Sequence, residues 1–165
     1  MAPILVPANQ PEDWVASTTC CFATAGIGYR QLQDGTVLTD AVSSKPEKWL
    51  GAEHLAKYGA DTKLLVKLLD AGHRPPVQAH PHVDLFRQRR GRNHGKAEAW
   101  YPLTPGSVWL GLKESISHEE PLHVVETGRG RDLLDRMHKF DVLPHQALYV
   151  PPGTLHAIGE GIMVV

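Results

Sequence analysis

Pro76-Val-Gln-Ala-His-Pro81 is followed by Gly95-Lys-Ala-Glu-Ala-Trp-Tyr101 and, much later, by Pro151-Pro-Gly-Thr-Leu-His-Ala157. Gln78 and His80 are two apart, and on an extended strand residues i and i+2 point to one face. An amide oxygen and an imidazole then project together. Glu98 lies in a second strand-like run, and His156 follows a Pro/Gly turn at the end of a third. Gln, His, Glu and His form an N/O donor set that suits a borderline divalent ion, zinc above all. These pieces predict a metal site inside a β-barrel.

Each piece also has a plainer reading. An isolated Gln-x-His is common, a Gly-Lys-x-Glu is usually a surface turn with a solvated charge pair, and a His after Pro-Pro-Gly-Thr is usually a loop residue. Their occurrence in this order, each beside a strand, favours the site. His82 and His94 flank it, but Pro81 interrupts the regular strand that would carry His82 onto the face of His80.

The 165 residues fit one domain and can bury a core. Formal charge is −1, so neither bulk nucleic acid nor an anionic membrane is indicated as a partner. The short basic run Arg87-Gln-Arg-Arg-Gly-Arg92 reads as a solvated face. Cys20 and Cys21 are adjacent, a poor geometry for a structural bridge, which favours a reducing, cytoplasmic setting. No apolar run approaches the roughly 20 residues that span a bilayer, and no signal peptide is seen. No oligomeric state follows from these features. Ten histidines are many for this length and mildly favour metal or acid–base chemistry.

Taken in order, Pro3–Ala8 reads as a short edge strand and Thr19–Ala23 as a strand or extended loop. Tyr29–Leu38 alternates around Asp34-Gly35, a hairpin signal. A Ser44 cap and Pro46 predict a helix to Tyr58, divided at Gly51. Lys63–Asp70 is ambiguous between a helix and a buried strand, and its Lys67 has an ordinary reading as a lysine that snorkels outward. Val83–Arg92 reads as a short helix, and Ser107–Leu112 as a strand. Ser117-His-Glu-Glu120 reads as a capping box that opens a helical insertion over about residues 117–139, with a second helix from Asp132 to Lys139. Phe140–Leu143, His145–Val150 and Ile162–Val165 return to strands.

The run Leu65-Val-Lys-Leu-Leu-Asp-Ala-Gly72 through Gln78-Ala-His-Pro81, then Gly95–Tyr101, then Tyr149–Ile158, resembles the class I phosphomannose isomerases. The likeness extends from about Trp49 to the last residue. It implies a mainly β, cupin fold (a double-stranded β-helix or jelly-roll barrel) with a few short helices. It also implies one Zn2+ per chain and the interconversion of mannose 6-phosphate and fructose 6-phosphate in mannose metabolism and GDP-mannose supply. The implied ligands are Gln78, His80, Glu98 and His156, and the implied partner is a small phosphorylated sugar.

Lys96, two before Glu98 and on the same face of an extended segment, matches a lysine of the family's active site. Lys67 matches one lining its substrate pocket, which decides Lys63–Asp70 as a strand. The short interval between Glu98 and His156 resembles the compact bacterial subtype. The family's pattern continues beyond Val165 with a carboxylate, an arginine and a second cupin-like unit. The 165 residues are therefore expected to be a truncated form, a single cupin-type catalytic domain with its C-terminal part incomplete. Two other readings remain: a non-catalytic cupin that binds a metal or a sugar phosphate, and an iron-dependent cupin oxygenase. The Gln ligand and the two lysines argue against the oxygenase.

Overall fold

Asp34 and Gly35 do make the expected turn. The Asp34 carboxylate accepts the Thr36 N–H at 2.9 Å, and the Leu32 N–H donates to the Thr36 carbonyl at 2.8 Å. The flanking strands shrink to one antiparallel bridge, Gln31 with Val37, because a helix that sequence reading missed, α1 (Leu38–Ser44), starts at once. The computed structural model describes residues 11–20, 28–73, 76–90 and 95–165. The expected strand Pro3–Ala8 lies outside the described residues, as do Cys21, Phe22 and Ala23 of the Thr19–Ala23 run.

Contacts divide the chain into two compact units, Met1–Leu69 and Asp70–Val165. In the first, β1 (Glu12–Trp14) pairs antiparallel with β2 (Lys67–Asp70), Trp14 opposite Lys67 and Glu12 opposite Leu69. Pro46 opens α2 (Pro46–Leu50), and α3 (Ala52–Tyr58) follows after Gly51 and ends at Gly59. The division at Gly51 matches the sequence. The cap does not: the Ser44 hydroxyl donates to the Ala41 carbonyl at 2.9 Å, closing α1, and Lys45 holds the N-cap position of α2.

Strands carry the core of the second unit. After α4 (Val83–Arg90) come β3 (Glu98–Trp100), β4 (Gly106–Leu112), α5 (Glu119–Glu126), α6 (Asp132–Asp135), β5 (Met137–Val142), β6 (Leu148–Val150), β7 (His156–Ile158) and β8 (Met163–Val164). β3 pairs with β6, and β4 lies between β5 and β7, all antiparallel. Single bridges join Gln78 to His156 and Pro102 to Val164. Val108, Met137 and Ile162 have no exposed surface, with Val150, Ala157 and Trp100 almost fully buried beside them. Burial of this apolar set is the main favourable term for the unit.

The capping box is half made. The Ser117 hydroxyl accepts the Glu120 N–H at 3.3 Å, whereas the Glu120 carboxylate pairs with Arg136 instead of reaching back along the helix. The helix expected to run to Lys139 stops at Asp135. From Met137, opposite Leu112, the chain pairs with β4 as far as Val142 opposite Gly106, with one register shift between Leu110 and Leu112. Sheet pairing and burial of Met137 override the local helical reading, as tertiary context commonly does. Among the described residues no helix is long and apolar enough to cross a membrane.

Candidate metal centre

Two local devices bring His156 to His80. In the turn Pro151–Thr154 the Thr154 N–H donates to the Pro151 carbonyl at 3.2 Å, and Gly153 has φ +82°, a conformation that favours glycine. The Gly153 N–H in turn donates to the His80 carbonyl at 2.7 Å. Gln78 and His156 exchange both backbone hydrogen bonds, at 3.0 and 2.8 Å. In such an antiparallel pair the two side chains share a face, which aims Gln78 to the side of His156, although the Gln78 side chain is exposed.

Glu98 arrives from β3. Close approach at Gly95 sets its position: a Cβ there would stand 2.5 Å from the Val83 nitrogen, and the Lys96 N–H donates to the Pro81 carbonyl at 3.1 Å. The Glu98 carboxylate then lies between the two imidazoles. His80 Nε2 is 3.3 Å from Oε1 and His156 Nε2 is 3.5 Å from Oε2. The rings tilt against each other with centroids 4.9 Å apart. Lys96 Nζ is 2.9 Å from Oε1.

The protonation pattern leaves a gap where a cation fits. His156 Nδ1 is 2.8 Å from the Thr154 carbonyl, which can only accept, so Nδ1 carries the hydrogen. Burial holds this imidazole below its ordinary value, outweighing the Thr154 carbonyl and the Glu98 charge, which favour the cation. The ring is therefore neutral, and its Nε2 lone pair faces a carboxylate oxygen. Burial also opposes ionisation of Glu98, but the His80 ring and the Lys96 ammonium outweigh it and hold the carboxyl well below the usual carboxylate range. The Nε2 atoms of both histidines are buried without a hydrogen-bond partner, a costly arrangement for polar atoms.

The donor atoms of His80, Glu98 and His156 lie within 4.8 Å of one another. Their closer separations approach the roughly 3.4 Å between ligand atoms bound tetrahedrally at about 2.1 Å. The residues present thus fit a divalent ion. The hydrogen-bonded Nδ1 of His156 is also the usual support for a metal-binding imidazole.

The remaining expected residues divide. Lys96 is at the centre and partly exposed. Lys67 belongs to the first unit, where its ammonium is 2.7 Å from Glu12. His82 is exposed and turns to Asp84 at 3.4 Å, and His94 lies outside the described residues. Sequence reading missed Trp100 as a site residue. Its indole N–H donates to Glu98 Oε2 at 3.3 Å, and its ring meets that of His156 edge-on at 5.4 Å.

In the metal-free chain both shifts run in the same direction. Below the ordinary value of 6.5 for His156, and then of 4.5 for Glu98, the native state holds fewer protons than the unfolded chain. Stability should therefore fall as the pH is lowered through each value. Urea midpoints of the metal-free chain should drop between about pH 7 and about pH 5, and less steeply in His156→Asn. Equal slopes in the two chains would contradict the neutral, buried imidazole.

No protein-family model matches the chain. The mannose-6-phosphate isomerase ManA of Bacillus subtilis is 34% identical over 149 residues, which cover 87% of this chain and 45% of that one. The mannose-6-phosphate isomerase of Streptococcus mutans is 35% identical over 122 residues, covering 70% of this chain and 37% of that one. The chain thus spans less than half the length of these curated relatives. Among solved structures, the mannose 6-phosphate isomerase of Bacillus subtilis superposes with a TM-score of 0.64 at 26% identity, covering 79% of this chain and 40% of that chain. A mannose 6-phosphate isomerase bound with zinc and yttrium superposes with a TM-score of 0.57 at 14% identity, over 78% of this chain and 53% of that chain, a likeness of fold. Over the part of these relatives that it spans, the chain is a class I mannose-6-phosphate isomerase-like protein, and its sheets and few helices agree with a mainly β fold.

Proposed function

We propose that this chain carries the metal centre of a zinc-dependent aldose–ketose isomerase that interconverts mannose 6-phosphate and fructose 6-phosphate, an activity of mannose metabolism and GDP-mannose supply in the cytoplasm. The observation that carries the reading is the pair of buried, partnerless imidazole nitrogens of His80 and His156 on either side of the Glu98 carboxylate. Its relatives' names supply the substrate.

His80, Glu98 and His156 would hold the ion, with Gln78 as fourth donor. Lewis-acid polarisation of a carbonyl is the chemistry such an ion supplies when bound. The chain's own residues do the rest. Glu98 stays ionised beside the His80 ring and the Lys96 ammonium, and Thr154 keeps the His156 lone pair turned inward. Lys96 points one N–H at Glu98 and, being partly exposed, has other donors for an anionic substrate. Lys67 is proposed in a similar substrate-holding role, which Lys67→Ala tests through a rise in KM.

The experiment is turnover of mannose 6-phosphate by the purified chain supplied with Zn2+. Conversion that a chelator abolishes and added Zn2+ restores is the expected result. A folded chain that binds Zn2+ without turnover would support the alternative, a non-catalytic cupin that binds a metal or sugar phosphate.

A further inference from the structure

Burying a carboxylate needs a donor for each oxygen, because an ionised oxygen left without one in an apolar setting is expensive. Glu98 is largely buried, and its two oxygens are served differently. Oε1 has the Lys96 ammonium at 2.9 Å. On the other side, His156 Nε2 presents a lone pair to Oε2, an acceptor against an acceptor. Among the described residues, the hydrogen-bond donor that reaches Oε2 is the indole N–H of Trp100, at 3.3 Å.

We infer that Trp100 is a positioning residue of the metal centre, fixing the Glu98 carboxylate through its N–H and the His156 ring through its edge. The geometry follows from the strand. Trp100 is two residues after Glu98 on β3, so both side chains leave the same face. β6 lies alongside, with Leu148 opposite Trp100 and Val150 opposite Glu98. Trp100 is 5% exposed, so its indole is held by packing. The indole N–H is a donor only. It therefore cannot compete for the ion, but it can hold the carboxylate in one rotation while the oxygens face the two imidazoles. An aromatic chosen only to fill space has no need of that N–H.

This inference rests on the metal-centre reading, and its test separates the two. Zn2+ affinity is measured by competition with a chromophoric chelator, for the parent chain, for Trp100→Phe, and for a chain carrying a benzothienyl analogue of tryptophan at position 100. The analogue keeps the shape of the ring and replaces its N–H with sulfur, so it decides the matter should the smaller Phe unsettle the fold. A loss of about tenfold or more in Zn2+ affinity is expected for the analogue, the size typical of removing a group that orients a ligand. The visible spectrum of bound Co2+ should shift as well, while the urea midpoint of the metal-free chain stays near that of the parent. Parent-like affinity and an unshifted Co2+ spectrum in the analogue would overturn the role of Trp100. A parent chain that binds no Zn2+ would overturn the metal-centre reading, and this inference with it.

Discussion

Glu98→Gln should weaken Zn2+ binding by more than about 100-fold, beyond the 10- to 100-fold that follows loss of a group that merely orients a ligand. The substitution keeps size and shape but removes the negative charge that lies between the two imidazoles. It also leaves the Lys96 ammonium, now 2.9 Å from a neutral amide oxygen, as an uncompensated cation beside the site. An ion entering there meets repulsion where it previously met attraction. His156→Ala should have an effect of similar size, since it removes a buried donor whose Nδ1 is already engaged by Thr154. Lys96→Ala should act differently, raising KM for a phosphorylated sugar more than it lowers metal affinity. Calorimetric Zn2+ titrations of these chains check the first two, and steady-state kinetics the third.

Gly95→Ala should damage both fold and site, although residue 95 touches no ion. A methyl group there would lie 2.5 Å from the Val83 nitrogen and 3.0 Å from the Pro81 carbonyl oxygen. These atoms are backbone and cannot rotate away, so the two segments must separate. That separation strains the Lys96 N–H bond to Pro81 and carries Glu98 away from His80. The stability cost should be about 1–3 kcal/mol, typical of overpacking, with a fall in Zn2+ affinity of about tenfold or more, because the ligand geometry is lost as well. Urea denaturation of the metal-free chain gives the first number and Zn2+ competition the second. A variant as stable as the parent would show that the two segments do not approach as closely as described.

Spacing made much of the centre legible. Gln78 and His80 lie two apart, Lys96, Glu98 and Trp100 follow the same period, and the Pro-Pro-Gly-Thr turn sits where His156 must be delivered. Period two says which side chains share a face, and so it placed Lys96 beside Glu98. It says nothing of depth. Trp100 fell under the same rule, yet only the pairing of β3 with β6 shows that its N–H ends beside a buried carboxylate oxygen.

The scaffold shows the same division. Gly51 and Gly59 marked helix ends because their effect is local, whereas α1 was missed, since Leu38–Ser44 carries no cap signal of its own. The segment from Met137 reads locally as a continuing helix and becomes a strand through its partner β4, a contact invisible along the chain.

The most direct test of the metal centre is X-ray absorption at the zinc edge of the chain loaded with one equivalent of Zn2+. A shell of nitrogen and oxygen at about 2.0–2.1 Å is expected, with the multiple-scattering signature of two imidazoles and no sulfur. Loss of one imidazole contribution in His156→Ala would follow. A sulfur ligand at about 2.3 Å, from Cys20 or Cys21, or a shell unchanged by His156→Ala, would contradict it.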